Sequence, residues 1–120
     1  MLIQTAAKVN KDVSPVRIAV LDTGCSKEAS YFRAYPAELD RINGDHWHDF
    51  TGAESSPVDQ DTNQHGTMVS LLLLRVAKNA EIFVGRISKT ASELESAAAN
   101  VEKVDVPADY IALATKLELN

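Results

Sequence analysis

The chain has 120 residues, of which 45% are hydrophobic and 24% are charged, as in an ordinary globular domain. A net charge of -5 excludes the basic, clustered surface that binds nucleic acid. The single cysteine, Cys25, excludes an intrachain disulfide and a zinc site built on paired cysteines. A chain of this length predicts one domain with one core.

No targeting or membrane segment is expected. The N-terminus lacks a basic region followed by an apolar core, which a secretory signal requires. The longest apolar run, Met68–Leu74, is far shorter than the roughly 20 residues of a membrane span. With only one cysteine, the sequence predicts an intracellular protein with no membrane partner.

The first predicted element is a buried parallel strand. Residues Val16–Leu21 are apolar and rich in β-branched side chains, and the turn Asp22-Thr23-Gly24 follows them. Cys25–Gly44 shows no clear period. His46–Phe50 predicts a short second strand, and Thr51–Gln64 predicts a polar loop.

The second half of the chain alternates between helix and strand. Gly66–Val76 is apolar on nearly every helical face, which predicts a helix buried all round. Glu81–Ile87 predicts a buried strand, and Thr90–Glu93 matches a capping box. The apolar spacing of Leu94–Val101 predicts an amphipathic helix, and Tyr110–Ala114 predicts a further strand. This alternation predicts the α/β class, with a parallel β-sheet and flanking helices.

Two polar residues stand where such folds place functional groups. Asp22 follows a buried strand, at the carboxyl edge of the sheet. His65 lies where the polar loop meets the apolar helix. A hydrolytic triad needs a carboxylate that orients a histidine and a histidine that takes a proton from the nucleophile. Asp22 and His65 are of the types that fill these two roles. Taken alone, however, Asp-Thr-Gly after a strand is as often just a turn, and a histidine before a helix is more often a cap or surface residue.

The two segments together resemble the subtilisin-like serine peptidase family. That family carries an apolar strand ending in Asp-Thr-Gly, then His-Gly-Thr-x-Val before a small residue, and this chain has both. The likeness continues through Arg75–Ile87, a turn that leads into the next strand. The resemblance implies an incomplete subtilisin-like fold at 16–120, after a lead-in at 1–15. It also implies that Asp22 orients His65, that His65 is the general base, and that the partner is a peptide or protein substrate, with no cofactor and no metal.

The chain departs from the family in lacking a nucleophile segment. The family's serine stands in Gly-Thr-Ser-x-Ala, and all nine serines here have other contexts. The segment that supplies an oxyanion-hole asparagine is also missing. We therefore expect the chain alone to be inactive as a serine endopeptidase. It is either a fragment of a working enzyme or a non-catalytic binding remnant, and its incomplete core surface predicts self-association.

Other polar residues have simpler interpretations. His46 and His48 flank Trp47 but lack a third ligand, so the sequence predicts no metal site. Nothing near Cys25 in sequence would lower the pKa of its thiol, so we expect a buried or partly buried side chain and not a nucleophile. Asp59 and Asp61 are expected to be solvated loop charges.

One alternative is a retroviral-type aspartic peptidase. Such proteins are short dimers in which an apolar strand leads to Asp-Thr-Gly, and they carry a later stretch similar to Phe83–Arg86. Two Asp22 side chains would then share a proton across the dimer. The Ala-rich helix and the apolar helix after His65 argue against this nearly all-β class.

Overall fold

The computed structural model describes residues 15–98 and 111–114. Four parallel strands form one sheet in the order β2-β3-β1-β4. The strands are β1 (Arg17–Asp22), β2 (Trp47–Asp49), β3 (Glu81–Arg86) and β4 (Ile111–Ala114). The helices are α1 (Ser30–Ala34), α2 (Pro36–Leu39), α3 (His65–Val76) and α4 (Leu94–Ala98), with 3₁₀ turns at Gly44–His46 and Ala91–Glu93. The predicted α/β class with a parallel sheet is confirmed.

The main core lies between the sheet and α3. In-register pairing of β1 with β3 sets Ile18 beside Ile82 and Val20 beside Val84, so these side chains share one face. Leu74 of α3 belongs to the same apolar cluster. Central strands covered in this way bury continuous apolar runs, which is why β1 and β3 are recognisable from the sequence.

Two connections cross the face of the sheet that packs against α3, and they run in opposite directions. The segment with α1 and α2 leads from β1 past β3 to β2, and α3 leads back from β2 to β3. Phe32 of α1 and Leu74 of α3 lie in one cluster on this face. Connections that run in opposite senses over one face have opposite hands. One of them is therefore the left-handed crossover that parallel sheets rarely use.

The carboxyl end of α3 is held by an arginine from the preceding connection. Arg41 donates to the carbonyl oxygens of Leu74, Ala77 and Ala80 at 2.8–3.0 Å. A cation at this end satisfies carbonyls that have no helical partner and complements the helix dipole. This cap therefore fixes α3 against the connection between β1 and β2.

The prediction that the helix after His65 is buried all round is wrong. Met68, Leu72 and Val76 are 64%, 61% and 60% exposed. They recur every four residues, so they form one row on the helix surface. We call this row the α3 stripe. None of the helices in the described part of the chain has the length and apolar character for crossing a membrane.

Two other predictions differ from the structure in detail. β2 is Trp47–Asp49, because His46 closes a 3₁₀ turn and its Nδ1 is 2.9 Å from the Ile82 carbonyl oxygen. The predicted capping box does not form: Thr90 Oγ1 bonds Glu93 Oε1 at 3.3 Å and makes no cap bond to the backbone. Residues 1–14 of the predicted lead-in (1–15) lie outside the described residues. The same holds for the predicted helix beyond Ala98 and for Tyr110.

Candidate functional site

Three charged side chains stand in line at the carboxyl edge of the sheet. Asp22, Arg86 and Asp49 are the last residues of β1, β3 and β2, and the strand register sets them side by side. All three are buried. In α/β proteins, ligands bind at the carboxyl ends of the parallel strands, so this edge is the expected location of a functional site.

The start of α3 lies directly against the turn that follows Asp22. The Gly66 amide donates to Thr23 Oγ1 at 2.8 Å. A side chain at Gly66 would fall on the Gly24 carbonyl oxygen. Gly24 itself has φ +108°, in the region that favours glycine, and it forms an antiparallel bridge with Asp59. Two glycines thus allow backbone-to-backbone contact that brings His65 to the end of β1.

Asp22 and His65, the two residues chosen from the sequence, form a hydrogen-bonded pair. His65 Nδ1 lies 2.9 Å from Asp22 Oδ1 and 3.1 Å from Asp22 Oδ2. An ionised carboxylate only accepts, so Nδ1 is the donor in this contact, and in the neutral ring the lone pair is then on Nε2. The Thr23 amide also donates to Asp22 Oδ1 at 2.7 Å. The carboxylate is therefore held from two sides.

The pair is exposed at one end only. The Asp22 side chain is fully buried, whereas that of His65 is 20% exposed. None of the described residues makes a hydrogen bond to His65 Nε2. The arrangement is that of a general base with an oriented ring and a second ring nitrogen that has no partner within the described residues.

Arg86 and Asp49 form a buried ion pair beside this site. Arg86 Nε and Nη2 donate to the two Asp49 oxygens at 3.0 and 2.7 Å, and Nη1 donates to Gln60 Oε1 at 2.8 Å. Burial alone would raise the pKa of Asp49, but hydrogen bonds from Arg86 and Thr51 and from backbone amides outweigh it and hold the pKa well below its usual range. The forked contact braces the ends of β2 and β3.

The prediction that Asp59 and Asp61 are solvated loop charges is wrong. Both side chains are buried. Asp59 Oδ2 accepts from the Thr67 amide at 3.0 Å and from the Thr67 hydroxyl at 2.6 Å. Asp61 Oδ2 accepts from the His65 amide at 3.0 Å. Both carboxylates accept hydrogen bonds from backbone amides at the amino-terminal end of α3, where negative charge is favourable.

Cys25 has the character that the sequence analysis expected. The thiol is buried, and this burial, assisted by the charge of Asp59, raises the pKa of Cys25 to about 12. A thiol in this state carries almost no thiolate near neutral pH. Cys25 is therefore a core residue and not a nucleophile.

The two other histidines do not form a cation site with their neighbours. Because the Ile82 carbonyl only accepts, His46 Nδ1 is the donor in that contact. His48 is exposed, with its ring centroid 4.3 Å from that of Phe50. Across residues 15–98 and 111–114, no three His, Cys, Asp or Glu side chains are grouped as metal ligands.

The aspartic peptidase alternative does not suit this geometry. Asp22 is fully buried and bonded to His65, so it cannot meet a second Asp22 across a dimer. The parallel α/β sheet also differs from the nearly all-β structure of that class.

Sequence reasoning missed three residues that support the site: Asp59, Asp61 and Arg86. One local signal was present, because Asp61 comes one helical turn before His65, at the start of an apolar helix. The partner of Arg86 is 37 residues away in sequence. No short-range pattern could have indicated that contact.

The chain matches no family model, no curated protein and no solved structure in the three comparisons made.

Proposed function

We propose that this chain carries the acid–base part of a subtilisin-like serine peptidase site. The contact between Asp22 Oδ1 and His65 Nδ1, 2.9 Å long at the carboxyl edge of a parallel sheet, carries this proposal. The motif order and the turn between Asp22 and Gly24 support it.

In the proposed mechanism each residue has a separate task. His65 Nε2 takes the proton of a serine hydroxyl as that oxygen attacks the peptide carbonyl. Asp22 keeps the ring in the Nδ1–H tautomer and stabilises the imidazolium. His65 then gives the proton to the leaving amine, and the acyl-enzyme is released by water that the same nitrogen activates.

The described residues do not supply the serine. Ser70 is fully buried on α3, and Ser88 donates its hydroxyl to the Thr90 carbonyl at 2.7 Å. No described serine hydrogen-bonds His65. The nucleophile must therefore come from outside the described residues for the proposed reaction to occur.

The chain alone is expected to show no serine-peptidase activity. A fluorophosphonate probe should leave it unlabelled, because the probe reacts only with an activated serine. Residual catalysis without a triad serine depends on the oxyanion hole, whose segment is also missing. Labelling of a serine that is lost in His65→Ala would contradict this expectation.

The catalytic proposal itself is tested by the coding sequence downstream of residue 120. A Gly-Thr-Ser-x-Ala segment there would support a working enzyme. The longer product should then be labelled by the probe, and both Asp22→Asn and His65→Ala should abolish the labelling. An unlabelled longer product that contains this segment and is folded would overturn the proposal.

The α3 stripe favours a second candidate function, which is binding without catalysis. We propose a second copy of the chain as the occupant of this surface. Met68 and Val76 lie four residues on either side of Leu72, so a two-fold axis at Leu72 would set Met68 against Val76 of the other copy. The chain has a net charge of -5, but no acidic residue lies within α3, whose one permanently charged residue is Arg75. Acidic side chains of this helix therefore do not repel a second copy.

Leu72→Glu is expected to weaken self-association of the chain. Sedimentation velocity of the wild type should show a species larger than 13.0 kDa that grows with concentration, and the variant should sediment as a monomer. Burying a carboxylate in an apolar contact is unfavourable. Asn79→Glu, the same added charge on an exposed turn, should behave as the wild type. A wild type that stays monomeric and binds no hydrophobic dye would contradict the proposal.

A further inference from the structure

The first turn of α3 has four backbone amides with four different partners. The His65 amide donates to Asp61, that of Gly66 to Thr23, that of Thr67 to Asp59 and that of Met68 to the Gln64 carbonyl. The first three are amides that a helix cannot satisfy internally, and the Met68 bond is the first bond of the helix itself. Two carboxylates of the same loop therefore have different partners: Asp59 bonds the third residue of the helix, and Asp61 bonds the histidine.

Asp61 is not an ordinary helix cap. An ordinary cap is the residue at the N-cap, and its side chain accepts from the second or third amide of the helix. Here the N-cap is Gln64, in the left-handed region at φ 50°, and its side chain makes no cap bond. Asp61 stands three residues earlier and reaches the first amide, which belongs to His65.

The second oxygen of Asp61 joins His65 to another part of the sheet edge. Asp61 Oδ1 accepts from the Ala91 amide at 2.7 Å. Ala91 begins the 3₁₀ turn after β3. Chiefly because of this bond, the pKa of Asp61 is lowered, so the group stays a carboxylate able to accept both bonds. The backbone of His65 is thus fixed to the segment that follows β3.

We infer that Asp61 is a positioning residue for His65, acting through the backbone while Asp22 acts on the ring. This inference rests on the proposed function of His65. His65 is then held by two carboxylates, its ring by Asp22 on β1 and its backbone amide by Asp61 on the loop before α3. Losing either Asp61 bond lets the start of α3 move relative to Asp22.

The test uses the chain as it is and needs no catalytic activity. The readout is the proton NMR signal of the Nδ1–H of His65, which depends on its contact with Asp22. Asp61→Asn removes the charge and one of the two accepting oxygens, and it should shift or broaden this signal. Thr67→Val is the matched control, because it removes the bonds that the Thr67 hydroxyl makes with Asp59 and with the Ser26 amide at the same helix start. It removes no bond of Asp61 and should leave the signal in place.

A second variant separates positioning from loss of fold. Ala91→Pro removes only the amide that donates to Asp61 Oδ1. Proline suits the first position of a helical turn, and the preceding Thr90 has φ -137° and ψ 154°, which proline tolerates before it. This variant should fold, and it should also shift or broaden the His65 signal.

An unchanged His65 signal in folded Ala91→Pro and in folded Asp61→Asn would overturn the inference. An equal change in Thr67→Val would also overturn it. If Asp61→Asn does not fold, Ala91→Pro decides alone. Because the readout is ring geometry, an unlabelled longer product would refute the catalytic proposal without affecting this result.

Discussion

Replacing Gly66 by alanine is expected to destabilise the chain by about 3 kcal/mol or more, because overpacking against fixed backbone is costly. The new methyl group would fall on the Gly24 carbonyl oxygen and lie 2.8 Å from the Gly24 nitrogen. Neither atom belongs to a flexible side chain that could move aside. In an ordinary helix the same substitution stabilises by up to about 1 kcal/mol, so even the sign of the effect is diagnostic.

Urea unfolding followed by the fluorescence of Trp47, the single tryptophan and a buried one, measures this effect. Gly44→Ala is the matched control. Gly44 has φ +60° and no atom within 4 Å of an added methyl group, so its loss should cost only about 1 kcal/mol for the backbone conformation. A Gly66→Ala chain as stable as the wild type would mean that α3 does not lie against the Thr23–Gly24 turn.

Replacing Arg86 by methionine is expected to cost about 3–5 kcal/mol, the usual effect of leaving a buried charge without its partner. The variant keeps Asp49 buried and removes both bonds of the forked contact. Arg33→Met is the matched surface control. Arg33 is exposed, and among the described residues its side chain bonds only the Glu28 carbonyl, so its loss should change stability by less than about 0.5 kcal/mol.

The same ion pair predicts how stability depends on pH. Because the pKa of Asp49 is lowered in the folded chain, Asp49 stabilises the fold above the ordinary carboxyl pKa of about 3.9. That contribution is lost as the pH falls below this value. The decline should be shallower in Arg86→Met. The double variant Asp49→Asn/Arg86→Met, which leaves no buried charge, should be more stable than Arg86→Met. Equal acid sensitivity in wild type and Arg86→Met would contradict this account.

Local patterns in the sequence determined the strands, the class and the candidate pair. The apolar, β-branched runs before Asp22 and around Phe83 are buried strands in the structure, since strands covered on both faces need such runs. Asp22 could be assigned to the functional edge because it ends a strand, and its pairing with His65 was expected from two local motifs that together resemble a known family. Each of these inferences uses neighbours within one helical turn or one strand.

Burial and hydrogen-bond partners depend on contacts between segments that are distant in sequence, so only the tertiary structure decided them. The apolar residues of α3 do not tell which of them the sheet covers, so Met68 and Leu72 were wrongly expected to be buried. A carboxylate in a polar loop looks the same whether it is solvated or, like Asp61, bonded to the amides of His65 and Ala91. The hand of a crossover connection cannot be predicted from the periodicity of apolar residues either. Periodicity records which residues are apolar, whereas burial and hydrogen-bond partners depend on how the segments are arranged in space.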